Sequence, residues 1–277
     1  MLFYLNQRRN NIVTKNVIYY KMLKKKTDDG IETKATKEQI KNWETLYKLF
    51  EKTPLPDLDL FANLGLYMKT SALAKILFLN ELYQEIMTVP GDIVEFGTWW
   101  GQNVIVFENL RAIYEPFNKN RHIIGFDSYA GYQNLTAKDV KSKMIKSGNF
   151  STTKNYKSYL KKLVDFHEKN NILNNIKKHE LIQGDVSQTA PKYFKKNQGS
   201  IIALAYFDIA LYEPTKICLN AIKGHLIPGS IIMLDELNEP ASPGETIAFK
   251  EEFKDIDFEI KKSKIIADRT ILKIKHI

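Results

Sequence analysis

The sequence contains a single cysteine, Cys218, among 277 residues, and it has no long apolar run. One cysteine cannot form an internal disulfide, and Cys218 lies in an apolar helical stretch, so we expect it to be structural. No segment approaches the roughly 20 apolar residues that span a bilayer. Arg8, Arg9 and Lys15 interrupt residues 1–20 before any signal-like core can form. We therefore expect a cytoplasmic protein that does not enter a membrane.

The positive charge of the chain is unevenly distributed. The net charge is +9, and residues 1–52 carry 12 Lys and Arg against 6 Asp and Glu. This leaves a net charge of only +3 for the other 225 residues, which also lack an Asn/Asp-Pro-Pro-aromatic motif. A basic face on this larger part is therefore not expected, which argues against nucleic acid as a partner. The basic segment is either a solvated tail or a contact for an anionic partner.

Residues 1–58 are predicted to form a basic extension with one helix, and residues 59–277 a larger domain. Thr36 and Gln39 can form a capping box at the start of that helix. Apolar residues then recur at helical spacing, at Ile40, Trp43, Tyr47 and Phe50. This helix should pack on a neighbouring surface. If that surface is not its own domain, the apolar face would suit a homodimer contact.

Strands and helices alternate after a second predicted helix at residues 71–87. The predicted strands are 92–96, 122–127, 180–183, 201–208, 230–235, 257–262 and 270–275. The central ones are nearly continuous apolar runs, which is typical of a parallel sheet covered on both faces. The last two alternate apolar and polar residues, which indicates an antiparallel hairpin at the sheet edge. Residues 134–175 form a long polar insertion, which is either a lid over a site or a surface helix.

The turn after the first strand, residues 97–101, carries the first indication of function. A dinucleotide-binding turn needs three closely spaced glycines, whereas here only Gly97 and Gly101 are present, with Trp99 and Trp100 between them. The indoles would obstruct a pyrophosphate, and the carboxylate of Glu95 would repel it. A carboxylate at this place suits the ammonium or sulfonium of S-adenosylmethionine (SAM). Two glycines alone would equally fit a tight turn in any α/β protein.

Acidic residues stand at or beside the ends of the other predicted strands. Asp127, 26 residues after Gly101, is placed to accept hydrogen bonds from two ribose hydroxyls, and Asp185 could accept one from an adenine amine. Asp208, Asp235 and Glu236 form a set of three carboxylates that suits Mg²⁺. Any one of these acids could instead be a helix N-cap. Their joint placement at one sheet edge favours a ligand site.

Four motifs together resemble the macrocin-type (TylF-like) O-methyltransferases. They are Val94-Glu95-Phe96-Gly97-Thr98-Trp99-Trp100-Gly101, Gly125-Phe126-Asp127-Ser128, Phe207-Asp208 followed by Leu211-Tyr212-Glu213-Pro214-Thr215, and Pro228-Gly229 leading to Asp235-Glu236. The resemblance covers roughly residues 60–275. It implies an α/β, Rossmann-like class I methyltransferase fold with a mostly parallel seven-stranded sheet, helices on both faces and a C-terminal antiparallel edge hairpin.

The resemblance also implies a set of site residues and an acceptor. It assigns Mg²⁺ to Asp208, Asp235 and Glu236, beside a hydroxyl of a sugar or glycosylated small molecule. The residues assigned to SAM are Glu95, Gly97, Thr98, Trp99, Gly101, Asn103, Asp127, Ser128, Gly184, Asp185 and Asp208. The implied reaction is O-methylation of that hydroxyl.

Two positions depart from the family pattern. Ala210 stands where the family commonly has a second acid that is the proposed general base, and Asp235-Glu236 replaces Asp-Asp. We therefore take Asp208, Glu236 and Glu239 as the catalytic candidates, with Glu236 or Glu239 accepting the proton unless metal activation suffices. Two alternatives stay open. One is a non-catalytic SAM-binding or assembly protein, and the other is a nucleic-acid methyltransferase.

Overall fold

The computed structural model describes residues 35–139 and 144–276. Within these ranges, helices and strands alternate along the larger part of the chain. The helices are α1 (Lys37–Glu51), α2 (Asp57–Ala62), α3 (Thr70–Ile86), α4 (Gln102–Tyr114), α5 (Tyr156–Asn170), α6 (Val186–Lys196), α7 (Tyr212–Ile222) and α8 (Gly244–Glu252), with short 3₁₀ helices at Leu64–Tyr67 and Lys223–His225. The strands are β1 (Asp92–Phe96), β2 (Ile123–Asp127), β3 (His179–Gln183), β4 (Ile202–Phe207), β5 (Leu226–Leu234), β6 (Asp257–Lys262) and β7 (Thr270–His276).

The strands form one sheet in the order β3-β2-β1-β4-β5-β7-β6. Strands β1 to β5 are parallel, and β7 and β6 close the edge as an antiparallel hairpin. This arrangement confirms the predicted mostly parallel sheet and its edge hairpin. The order reverses between β1 and β4, and ligands of open α/β sheets bind at the strand ends beside such a switch point.

Each face of the sheet has its own apolar core. Phe96, Phe126 and Phe207 point to one face, where the rings of Phe96 and Phe207 lie 4.6 Å apart. Ile93 and Tyr206 point to the other face, which is covered by α3, α4 and α5. Every residue of β1 and β4 is buried, because side chains alternate between two covered faces.

Strand β5 begins earlier than the sequence predicts. The predicted strand starts at residue 230, whereas β5 starts at Leu226 and contains Pro228-Gly229. The pairing shifts there, from Leu226 opposite Ile202 to Ile231 opposite Leu204. Gly229, at φ +98°, allows this bulge because a residue without Cβ adopts positive φ readily. The predicted strand start at residue 230 is therefore wrong.

Helix α1 begins as predicted. The Thr36 hydroxyl accepts a hydrogen bond from the Gln39 amide at 3.2 Å, and the Gln39 side chain accepts one from the Thr36 amide at 2.8 Å. No described residue of α1 is buried, and Trp43 is 40% exposed. The ring of Phe50 meets Tyr67 of the first 3₁₀ helix at 5.1 Å. The homodimer contact stays a prediction.

The insertion before β3 divides into a loop and a helix. Helix α5 packs on α4 and β3, burying Leu160 and Val164, so this part is a covering helix of the core. The loop that precedes it brings Tyr132 and Phe150 to a cavity at the C-terminal ends of the strands. None of the helices in the described ranges is long and apolar enough to cross a membrane.

Candidate cofactor and metal site

The turn after β1 brings the N-terminus of α4 up to the end of β2. Gly97 and Gly101 have φ of +94° and +78°, and Trp99 between them has φ +46°. The Trp99 amide donates to Asp127 Oδ2 at 2.6 Å, and the Tyr129 amide donates to Oδ1 at 2.5 Å. Burial raises the pKa of Asp127, and these two amide bonds oppose the rise. Asp127 therefore joins the two loops that flank its strand.

Glu95 lies beneath this turn and is almost fully buried. Its Oε1 accepts a hydrogen bond from Asn103 Nδ2 at 2.7 Å, while its Oε2 is buried without a hydrogen-bond partner among the described residues. Burial raises the pKa of Glu95 well above its ordinary value, and the nearby carboxylate of Asp208 adds to this. An unpartnered buried carboxylate oxygen fits a cationic ligand, since a cation would restore the lost solvation.

A cleft with about 880 Å³ of empty space, part of it open to solvent, lies above these strand ends. The described residues that line it are Gly97, Trp99, Asp127, Ser128, Gly131, Tyr132, Gln133, Phe150, Asp185, Val186, Asp208, Ile209, Leu211, Pro214 and Glu236. The structure thus brings seven of the predicted site residues to one cleft. These are Gly97, Trp99, Asp127, Ser128, Asp185, Asp208 and Glu236.

The remaining predicted cofactor residues lie outside the described lining of the cleft. Thr98 Oγ1 donates to the Phe126 carbonyl at 3.3 Å, and Gly101 is the N-cap of α4. Gly184 has φ +140° at the end of β3. Asn103 holds Glu95, as described above. These positions shape the turns that carry the lining residues.

Ser128 and Asp185 line the cleft, but each side chain already has local partners. Ser128 Oγ donates to the Gly131 carbonyl at 3.2 Å. Asp185 Oδ1 caps α6 by accepting from the Ser187 amide at 2.9 Å, and Oδ2 accepts from Asn134 Nδ2 at 3.3 Å. Asp185 therefore serves as a helix N-cap, and its role toward adenine stays a prediction.

Asp208, Asp235 and Glu236 form the predicted acid group. Each offers a carboxylate oxygen within 4.8 Å of the others. The pKa of Asp208 is raised to about 7, mainly by burial and secondly by repulsion from Asp235. Burial also raises the pKa of Glu236 well above its ordinary value. Glu236 Oε2 is buried without a partner in the part of the chain that the structure describes. Three crowded oxygen ligands with an unpartnered member fit a hard divalent cation.

Three residues that the sequence analysis did not single out hold Asp235. Tyr206 OH donates to Asp235 Oδ1 at 2.9 Å, and Arg269 Nη2 lies 2.8 Å from Oδ2. Lys75 Nζ lies 3.5 Å from Oδ1 and 2.5 Å from Tyr206 OH. The positive charges of Arg269 and Lys75 partly balance the negative charge of the acid group. Lys75 could have been noticed, because it is the only charged residue in the apolar stretch 70–80.

Glu245 is a fourth carboxylate beside the three of the acid group, and the sequence analysis did not identify it. It lies in the first turn of α8 and has no exposed surface. Burial raises its pKa to about 7, while hydrogen bonds from the amides of Ala210, Glu236 and Ile209 oppose the rise. Its position after Pro243-Gly244 indicates only a helix start. The sequence carries no signal for its burial.

Ala210 and Glu239 do not belong to the group of Asp208, Asp235 and Glu236. Ala210 has φ +57°, and its amide donates to Glu245 Oε1 at 2.9 Å. Glu239 is exposed, lies outside the described lining of the cleft, and accepts a hydrogen bond from the Ala241 amide at 3.1 Å. The structure therefore separates Glu239 from the group that contains Glu236.

A second set of possible metal ligands consists of Glu108, Glu168 and His179. Arg111 and Lys178 form ion pairs inside this set, with Lys178 Nζ 2.5 Å from Glu168 Oε1. These cations already neutralise the acids. His179 is the first residue of β3. This network therefore lies near the N-terminal ends of the strands, whereas the cleft lies at their C-terminal ends. It is a structural ion network of the core.

Comparison with known proteins identifies one family and several similar structures. The macrocin-O-methyltransferase (TylF) family matches residues 72–265. A crystal structure of CalS11, a calicheamicin methyltransferase, is 33% identical, with TM-score 0.82, covering 87% of this chain and 94% of that one. An apo structure of CalS11, described as a TDP-rhamnose 3'-O-methyltransferase of calicheamicin biosynthesis, is 32% identical over 87% and 96% of the two chains, with TM-score 0.75.

The O-methyltransferase NovP shares the fold at lower similarity. It is 17% identical, with TM-score 0.56, over 73% of this chain and 80% of NovP. A search of curated protein sequences found no significant match.

Proposed function

The chain belongs to the macrocin O-methyltransferase family and is a SAM-dependent methyltransferase, and from this premise we propose that it methylates a hydroxyl of a nucleotide-linked or glycosylated sugar. CalS11, a third identical over most of its length, is described as acting on TDP-rhamnose. The observation that carries the proposal is that Asp127 lines the same cleft as Asp208 and Glu236, two members of the acid group. A proposed cofactor residue and acids that could activate a hydroxyl thus lie in one cleft.

The chain's cofactor residues would bind and orient SAM on the β1 and β2 side of the cleft. When bound, SAM supplies a methyl group on a sulfonium for in-line displacement by the acceptor oxygen. Asp127 would accept hydrogen bonds from the ribose, and Glu95 would balance the positive charge of the cofactor from beneath the turn. Trp99 and Phe150, whose rings lie 5.6 Å apart, would exclude water from the cleft. Alignment and water exclusion account for much of the rate in such reactions.

The acid group would act on the acceptor. Asp208, Asp235 and Glu236 would hold Mg²⁺, which when bound lowers the pKa of a coordinated hydroxyl. Glu236, whose side chain lines the cleft, is our candidate to accept the hydroxyl proton. Asp208 is the second candidate, and Lys75 and Arg269 form ion pairs with Asp235. The loss of an acid at position 210 therefore does not leave the cleft without a base.

A methyl-transfer assay tests this proposal. The purified chain is mixed with SAM, TDP-rhamnose and other nucleotide-linked sugars, with Mg²⁺ or with EDTA, and methylated product is measured by mass spectrometry. We expect product with Mg²⁺, much less with EDTA, and almost none from Asp208→Asn. Gly224→Ala is the control, because nothing lies within 4 Å of its new Cβ.

Each possible failure has its own meaning. SAM binding without transfer to any sugar would refute the acceptor class. Full activity in EDTA would refute the metal role. Transfer to a nucleic acid and to no sugar would support the nucleic-acid alternative.

A further inference from the structure

Glu245 connects the two loops that carry the acid group. Its Oε1 accepts hydrogen bonds from the amides of Ile209 and Ala210 at 3.1 and 2.9 Å. Its Oε2 accepts one from the Glu236 amide at 3.1 Å. The first two amides follow β4, and the third follows β5. One buried side chain on α8 therefore bridges the ends of two neighbouring strands.

The bonded amides are adjacent to the acids themselves. Ile209 directly follows Asp208, and the third amide belongs to Glu236. A shift of either loop would change the spacing between these two carboxylates. Yet Glu245 is fully buried and does not line the cleft. Its effect on the acids is transmitted through their backbone.

The first turn of α8 is built to approach these loops closely. A Cβ on Gly244 would lie 2.6 Å from the Tyr212 nitrogen and 2.7 Å from the Ala210 oxygen, so only glycine fits at this position. Ala210 is held with φ +57°, a conformation that is unfavourable for a residue with a Cβ. A loop held in such a conformation needs surrounding contacts that impose it. The bonds to Glu245 are contacts of this kind.

We propose that Glu245 is a positioning residue that sets the separation of Asp208 and Glu236 without touching the acceptor. The kinetic part of this inference rests on the proposed function. Its structural part does not, because it concerns only how the two loops are held. A glutamine at this position would keep the volume but turn one hydrogen-bond acceptor into a donor that faces an N–H group. An aspartate would keep the charge but shorten the arm.

Hydrogen exchange followed by mass spectrometry tests the structural part in the full chain. In Glu245→Gln we expect exchange to accelerate by about tenfold or more at the amides that face the new NH₂ group, which are either residue 236 or residues 209 and 210, because losing a hydrogen bond to a charged group has an effect of this size. Amides of β1 and α4 should be unchanged. Glu252→Gln is the matched control, since Glu252 lies on the same helix and bonds Lys223 and Asn220 away from the cleft.

Kinetics with the best acceptor tests the positioning part. Glu245→Gln should lower kcat by about tenfold or more, since a displacement of about 1 Å can cost 100-fold, while the Kd for SAM stays nearly unchanged. Glu245→Asp should not restore kcat. If the Gln variant does not fold, the Asp variant is held to the same criteria.

Two results would overturn the inference. One is unchanged exchange at all three amides, or acceleration that is equal throughout the sheet. The other is a kcat equal to that of Glu252→Gln, or a fall that Glu245→Asp reverses. If the wild-type chain transfers methyl to no sugar, the proposed function fails, but the exchange experiment still decides whether Glu245 holds the loops.

Discussion

Gly97→Ala is the substitution whose effect follows most directly from the structure. A methyl group at this position would overlap the carbonyl oxygen of Asp208, lie 2.8 Å from its carbonyl carbon and lie 3.2 Å from Ile209 Cγ2. The glycine also has φ +94°, which residues with Cβ rarely adopt. The backbone of the β1 turn and that of the β4 loop would therefore have to separate.

The magnitude has two parts. A residue forced into a sparsely populated conformation costs about 1–3 kcal/mol, and overpacking costs about 1–3 kcal/mol, so we expect about 2–6 kcal/mol. For chains of this size each kcal/mol of lost unfolding free energy lowers the Tm by roughly 2–4 °C. The Tm of Gly97→Ala should therefore fall by at least about 4 °C. SAM binding should weaken as well, because the turn that meets Asp127 is displaced.

Thermal unfolding and isothermal titration with SAM measure these effects. Gly224→Ala is the matched control, because its Cβ meets nothing within 4 Å and its Tm should be unchanged or slightly raised. A Gly97→Ala protein with the wild-type Tm and the wild-type SAM affinity would refute the packing argument.

Three further predictions concern the acids. Asp127→Asn should weaken SAM binding by about 10- to 100-fold in titration, since a hydrogen bond to a charged group contributes about 1.5–3 kcal/mol. Glu236→Gln should lower kcat by about 100-fold or more if it accepts the proton, whereas Glu239→Gln, on an exposed turn, should leave kcat nearly unchanged. The third concerns pH: Asp208 has a folded pKa of about 7 against 3.8 unfolded, so its contribution to stability is present below pH 3.8 and is lost as pH rises to about 7. Asp208→Asn should flatten this dependence in thermal unfolding without added metal.

The contrary results are equally specific. An unchanged SAM affinity in Asp127→Asn would remove the ribose role. Equal losses of kcat in Glu236→Gln and Glu239→Gln would remove the distinction between a cleft residue and a surface residue. A Tm of Asp208→Asn that varies with pH as steeply as the wild type would show that Asp208 does not titrate as its burial implies.

Most strands were predictable because each is a local pattern. The apolar runs at β1 and β4 and the alternation in β6 and β7 directly reflect which faces are covered. The start of β5 was mispredicted, because Pro228-Gly229 is a turn signal in isolation. Pairing with β4 accommodates it as a bulge, and this depends on a strand more than 20 residues away.

The acids of the cleft were predictable for the same local reason. Asp127, Asp208 and Asp235 follow directly at the ends of apolar runs, and parallel strands bring their ends to one edge. Glu239 shows the limit of this reasoning. It lies only three residues after Glu236, yet a turn places it on the surface.

The sequence by itself thus determined the order of strands and helices, the turn at Gly97 and the acids at the strand ends, since each depends on neighbouring residues. Only the tertiary structure decided which groups surround those acids. Lys75 and Arg269 reach Asp235 from 160 and 34 residues away, and Glu245 reaches Ala210 from 35 residues away. Such contacts depend on how elements pack. No spacing along the chain encodes them.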